Sequence, residues 1–181
     1  MRILGVDPGS SATGFGLIER EGSRTHHVRH GILRPPAGAD LSVRLNFLHT
    51  RLAEVLTELE PDVAIVERVF IAANPRSALV LGQARGALLA ALGAAGIEVA
   101  ELSAREAKKA ITGSGAADKK QMQMMVARLL GLDRVPPTDA ADALALALSY
   151  PKVGALADLP TQGRRRSHRK AMTDAYGGRS S

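Results

Sequence analysis

The apolar positions of this chain fall into two rhythms: short runs of strand length and longer stripes at helical spacing. Ile3, Leu4 and Val6 make the first run, which closes on Asp7. Pro8, Gly9, Ser10 and Ser11 then supply turn chemistry, since proline presets φ and glycine admits positive φ. Thr13 to Ile18 predicts a second strand, lightened by Gly14 and Gly16, and Thr25 to Leu33 predicts a third. After a loop over residues 34–38, Asp40 or Ser42 can cap a helix reaching about Glu60. Its Leu41, Leu45, Leu48, Leu52, Val55, Leu56 and Leu59 share one stripe. Pro61 ends it. Val63 to Val66 is a continuous apolar run, the mark of a central strand covered on both faces, and it closes on Glu67.

Val69 to Ala73 predicts a loop. Asn74 followed by Pro75 is a helix start, with asparagine as N-cap and proline at the first helical position. This helix is expected to run to about Gly93. Gly82 and Gly86 lie four apart on one of its faces, and glycine inside a helix costs roughly 1 kcal/mol against alanine. That cost points to close approach of another backbone or of a partner subunit. Ile97 to Leu102 predicts another strand and Ser103 opens a short helix. A turn over residues 112–115 leads to a helix from Asp118 to Leu130 that begins with Lys119 and Lys120. Pro136 and Pro137 stop the chain, Thr138 is a natural N-cap, and Ala140 to Tyr150 is an Ala/Leu helix suited to lying tightly on a sheet. The order of elements predicts an α/β fold, a mixed five-stranded sheet with helices on both faces.

Composition narrows the picture. With 181 residues and 45% hydrophobic side chains the chain can bury a real core, built from Leu, Ala, Val and Ile because aromatics are only 3%. There is no cysteine, which excludes disulfides, thiolate zinc sites and cysteine nucleophiles. No basic segment leading into an apolar core opens the chain, so no signal peptide is expected. The charge-free apolar run Gly86 to Ile97 is too short to span a bilayer. Beyond Pro151 the composition turns to Gly, Pro, Ser and Arg. The expectation is a folded domain over residues 1–152 and a basic, disordered tail over 153–181. Of the net charge of +6, residues 161–181 supply most, with Arg164, Arg165, Arg166, Arg169, Lys170 and Arg179 against Asp174. A sequence pI of about 10.2 therefore does not by itself make the folded domain basic.

The candidate chemistry lies in four acids. Asp7 and Glu67 each end a strand, and Asp139 and Asp142 stand three apart at the start of a helix, sharing one face. Taken singly, each has a plain structural explanation. Asp7 could open an Asx-turn before Pro-Gly, and acids in a first helical turn complement the dipole. Together they suggest more. The helix carrying Asp139 and Asp142 is almost uncharged, and two neighbouring acids facing a sheet repel unless a cation neutralises them. Carboxyl ends of neighbouring strands form one crevice in open α/β sheets. Four carboxylates there supply hard oxygen ligands suited to Mg²⁺ or Mn²⁺. Two such ions about 3.5–4 Å apart can activate water and stabilise a leaving oxygen in phosphodiester cleavage.

The motifs DPGSSATGFG, IVERVF, LGQARG and TDAADALALA, in that order between Arg2 and Tyr150, resemble the RuvC family of Holliday-junction resolvases. That family lies within the ribonuclease H-like superfamily. The resemblance implies a homodimeric, cytoplasmic bacterial endonuclease acting on four-way DNA junctions. It implies paired nicks on opposing strands that leave 5′-phosphate and 3′-hydroxyl ends, in company with a branch-migration motor. Matching the motifs puts the catalytic and metal-binding quartet at Asp7, Glu67, Asp139 and Asp142. Phe70 corresponds to an aromatic that stacks on or wedges apart bases, although a loop aromatic is more often an anchoring plug. Lys108 and Lys119 match basic residues near the scissile phosphate, although a lysine pair is usually a solvated face. Arg76 and Arg85 are further candidates for phosphate contacts.

Rival functions fit the sequence less well. A dinucleotide-binding loop needs a helix after its glycines, whereas β-rich Phe15 to Ile18 follows here. An actin-like phosphotransferase fragment shares the Asp-Gly hairpin but needs a second domain. A non-catalytic junction-binding module would have no use for four acids. His26, His27 and His30 are expected as surface residues near an edge strand. The RRRSHRK segment is either a non-specific DNA-binding extension or a solubilising one.

Overall fold

Alternation along the strands decides which side chains meet which helices. The computed structural model describes residues 1–68, 74–114 and 118–150. Five strands, β1 (Arg2–Asp7), β2 (Thr13–Glu21), β3 (Arg24–Leu33), β4 (Val63–Glu67) and β5 (Glu98–Leu102), form one sheet in the order β3-β2-β1-β4-β5. β1, β2 and β3 are antiparallel neighbours, whereas β4 runs parallel to β1 and β5 parallel to β4. The mixed five-stranded sheet expected from the element order is therefore present.

Helices α1 (Leu41–Leu59) and α2 (Pro75–Ala94) cover one face. They bury Leu4, Val6, Phe15, Leu17, Ala64 and Val66 beneath Leu48, Leu52, Leu56, Ala84, Leu88 and Leu92. Helices α3 (Ala104–Thr112), α4 (Lys119–Leu130) and α5 (Thr138–Ser149) cover the other. There Ile3, Ile18, Val63, Ile65 and Leu102 meet Ala107, Ile111, Met122, Val126 and Leu144. Alternate residues of each strand serve alternate faces, which is the period-2 rule applied to a doubly covered sheet.

Most helix starts follow from local chemistry. Asn74 accepts from the backbone N–H groups of Arg76 and Ser77, and Ser103 and Asp118 each complete a capping box, with Glu106 and Gln121. Two expectations need correction. Asp40 occupies the N-cap position of α1 without a side-chain cap bond. Pro137, not Thr138, is the N-cap of α5. Thr138 lies inside the helix, and its hydroxyl is 3.3 Å from the Gln123 amide that ties α4 to this turn.

β3 is an edge strand, as expected for the histidine segment. His27 and His30 are half-buried, however, with Nε2 and Nδ1 2.8 Å apart, across a bulge between Leu17 and Ile18. α2 is 20 residues long, and an 18-residue stretch of it with a mean hydropathy of 1.3 has the length and composition of a membrane span. Ala84, Leu88, Ala91 and Leu92 on its inner side pack into the core. Leu79, Gly82, Gly86, Ala90 and Gly93 lie exposed along the opposite side. The phenylalanine at position 70 and the tail fall outside the described residues.

Candidate active site

Asp7 and Glu67 end neighbouring parallel strands in register, since Val6 pairs with Val66 just before them. Ile3 and Gly5 face the α3–α5 layer, so Asp7 points there too. Val63 and Ile65 put Glu67 on that same face. The two carboxyl groups are near enough for a protonated Asp7 to donate to Glu67.

The turn after Asp7 is tied at two points. Thr13, fully buried, donates from its hydroxyl to the Gly9 carbonyl at 2.9 Å and accepts from the Gly9 N–H at 3.2 Å. Arg44, reaching from α1, donates through Nε (3.0 Å) and Nη2 (2.6 Å) to the Ser10 carbonyl.

Glycine brings the second pair of acids close. A methyl carbon at Gly5 would lie 1.8 Å from the Ala143 carbonyl oxygen, and one at Gly14 would lie 1.9 Å from that of Asp139. Only residues without a side chain let α5 sit this near to the sheet. Gly5 of β1 and Gly14, one of the glycines that lighten β2, thus form a seat for α5, whose first turns carry Asp139 and Asp142. The buried positions of α5 are alanine and leucine apart from Ser149 at its end, and no bulky group keeps it away.

A pocket of about 250 Å³ opens at this end of the sheet. Asp7, Glu67, Asp142, Lys108 and Lys119 line it, with Ala104, Ala107, Met122, Ala145 and Leu146 as apolar wall. Three of the acids and both of the lysines expected from sequence therefore share one cavity. Asp139 is not among its lining residues, but its charge acts on both Asp7 and Asp142. Arg76 is exposed in the first turn of α2. Arg85 turns away from solvent, donating to the Glu67 carbonyl and to the Glu101 carboxylate.

Charge is unbalanced in this cavity. Burial, then the hydrogen bond that protonated Asp7 donates to Glu67 and the charges of Glu67, Asp142 and Asp139, push Asp7 from 3.8 to about 9. Asp142 is raised chiefly by burial and by Glu67, while Lys119 and Lys108 pull it back down. Negative charge accumulates faster than the lysines offset it. Among the described residues, no three acid or imidazole groups stand close enough to grip an ion as they are. The donor set still fits a hard divalent cation: all oxygen, anionic, partly desolvated, and strained by its own repulsion.

The sequence matches the family described as "Crossover junction endodeoxyribonuclease RuvC" over residues 3–150. It is 49% identical to a crossover junction endodeoxyribonuclease RuvC of Bordetella parapertussis over 158 residues, covering 87% of each chain. Identity is also 49% to the Delftia acidovorans protein of the same name over 174 residues, covering 93% of this chain and 95% of that one. Among solved structures, T. thermophilus RuvC in complex with a Holliday junction substrate superposes with a TM-score of 0.78 at 31% identity. That match covers 83% of this chain and 93% of the other.

Proposed function

The chain belongs to the RuvC family of crossover junction endodeoxyribonucleases, and we propose that Asp7, Glu67, Asp139 and Asp142 form its catalytic centre. It is an endonuclease that resolves Holliday junctions, and its fold is that of the ribonuclease H-like resolvases. Divalent-metal dependence comes with the family. One observation carries the residue assignment: three of the four acids and both lysines meet in a single pocket at the ends of β1 and β4.

In this reading Asp7, Glu67 and Asp142 are ligands on the cavity wall, and Asp139 acts from its rim. Two Mg²⁺ or Mn²⁺ ions, when bound, supply an activated water and stabilise the leaving oxygen. The chain's own part is to hold the oxygen ligands on rigid strand ends and on a helix locked against glycines. Lys108 and Lys119 offset the acid charge, so that a phosphodiester can approach a site that would otherwise repel it. Phe70 follows Glu67 by three residues and is assigned to the junction bases near the cut. Arg76, exposed at the start of α2, is assigned to backbone phosphate.

The active assembly is a homodimer in which two-fold symmetry matches two opposed junction strands. The exposed face of α2 supports this: Leu79 is 65% exposed, and among the described residues nothing occupies the space beside Gly82 and Gly86. Action beside a branch-migration motor, paired cuts leaving 5′-phosphate and 3′-hydroxyl ends, a cytoplasmic location and a basic tail over 153–181 complete the proposal.

The test is cleavage of a synthetic mobile four-way junction in Mg²⁺, Mn²⁺ or EDTA, beside a linear duplex. Metal-dependent nicks paired on opposing strands and absent from the duplex are expected. Tight junction binding without cutting in either metal would instead favour a non-catalytic binding module.

A further inference from the structure

We propose that Glu101 is a positioning residue for Glu67: it holds the Arg85 guanidinium on the reverse face of the sheet, and Arg85 holds the Glu67 main chain. The inference rests on Glu67 belonging to the catalytic centre.

Strand register places the parts. Glu101 on β5 pairs with Val66 of β4 and shares its face, the one covered by α1 and α2. The Glu67 side chain points the opposite way, into the pocket. Arg85 descends from α2 onto this reverse face. Its Nη2 donates to Glu101 Oε1, and its Nε donates to the Glu67 carbonyl oxygen at 3.2 Å. Arg68, the next residue after Glu67, closes the same cluster. Its Nε lies 3.9 Å from Glu101 Oε2, its Nη2 donates to the Glu101 carbonyl at 3.3 Å, and its N–H donates to the Leu102 carbonyl at 2.7 Å.

The need for such a clamp follows from where Glu67 sits. It is the last residue of β4, and its pairing with Leu102 is the last rung of that ladder. A ligand at a strand end is only as fixed as its main chain, and metal ligation tolerates displacements of about 0.5 Å. Arg85 and Arg68 extend the restraint past the end of the ladder, and among the described residues Glu101 is the single anion that holds both guanidinium groups. Side-chain exposures of 20% for Glu101 and Arg85 and 32% for Arg68 leave the cluster much less screened than a surface pair. The same geometry reassigns Arg85. A guanidinium already matched by Glu101 and aimed at a backbone carbonyl is not a free cation for phosphate. Glu101 carries no motif of its own, and only the parallel pairing of β4 with β5 reveals its role.

The experiment uses the full chain with Glu101→Gln, Arg85→Gln, the double substitution and a Glu67→Gln control. Mn²⁺ binding is measured by electron paramagnetic resonance without DNA, and junction affinity in EDTA over a salt series. Both single variants are expected to weaken Mn²⁺ binding by about tenfold, the scale on which groups supporting metal ligands act. The double variant should lose little more, because the two residues work as one unit. Junction affinity in EDTA and its salt slope should match the parent. Parent-like Mn²⁺ affinity in Glu101→Gln, with a lowered melting temperature, would reduce the cluster to a structural tie and overturn the proposal. A salt slope shallower by about one in Arg85→Gln would make Arg85 a phosphate contact and overturn it equally. Should Glu101→Gln fail to fold, Glu101→Asp keeps the charge with a shorter reach: weakened Mn²⁺ binding then supports the clamp, and parent-like binding overturns it. Unchanged Mn²⁺ affinity in Glu67→Gln would refute the assignment of Glu67 itself, which separates that failure from a failure of the clamp.

Discussion

Asp7→Asn should make the metal-free protein more stable while abolishing cleavage. Burial and three neighbouring acids raise Asp7 from 3.8 to about 9, so at pH 7 the folded chain holds a proton that the unfolded chain releases. Each unit of that difference is worth about 1.4 kcal/mol, and the interval from 3.8 to pH 7 sets an upper bound of about 4 kcal/mol on the cost. The folded state binds the extra proton, so stability is full below about pH 4 and falls as pH rises towards about 9. Asparagine has the same shape and carries no charge, and its amide can donate to Glu67. Urea unfolding in EDTA at pH 4.5, 7 and 8.5 measures the effect. The gap between variant and parent should be under about 1 kcal/mol at pH 4.5 and about 2–4 kcal/mol at pH 7. Excess Mg²⁺ should narrow it, because a ligand that binds only the folded parent stabilises it by mass action. A gap that does not change with pH, or a variant less stable than the parent at pH 7, would refute this account of the acid cluster.

Gly5→Ala should destabilise the fold by about 1–3 kcal/mol or more, because its methyl must push the Ala143 carbonyl and lift α5 from its seat. Calorimetry would show the loss, and a wild-type melting temperature would mean that α5 is not held as described. Leu79→Glu should shift sedimentation towards monomer by placing a charge on the exposed face of α2, with the monomer's helix content unchanged. Phe70→Ala should retain junction binding but slow single-turnover cleavage more than tenfold, or about 1.4 kcal/mol in the barrier. An unchanged rate would leave Phe70 a structural role. Deleting residues 161–181 should lower non-specific duplex affinity and flatten its salt dependence, since most of the chain's positive excess lies there.

Much of this protein is legible in one dimension. Strand runs closing on Asp7 and Glu67, the Asn74-Pro75 start of α2, and the Ala/Leu stripe of α5 are local patterns. Each depends on neighbours within a few residues, and each appears where the periodicity places it. The four acids proposed for the site stand out in the sequence because strand ends and first helical turns are positions that sequence can name. Thr138 departs from its expected N-cap role for a tertiary reason: its hydroxyl is drawn to Gln123, 15 residues away. His27 and His30, expected on the surface, meet each other only because a bulge between β2 and β3 alters the local register.

Pattern and propensity thus determined the elements and the layering, because those follow from alternation, capping and charge along the chain. Tertiary structure alone decided how the acids meet. Gly14 only lightens a strand until α5 is laid across it and across Gly5, and Arg85 reads as a free cation until β5 brings Glu101 beneath it. Both depend on which strand lies beside which. Pairing between residues far apart in sequence is chosen by the global burial of two sheet faces, and no local window contains that information.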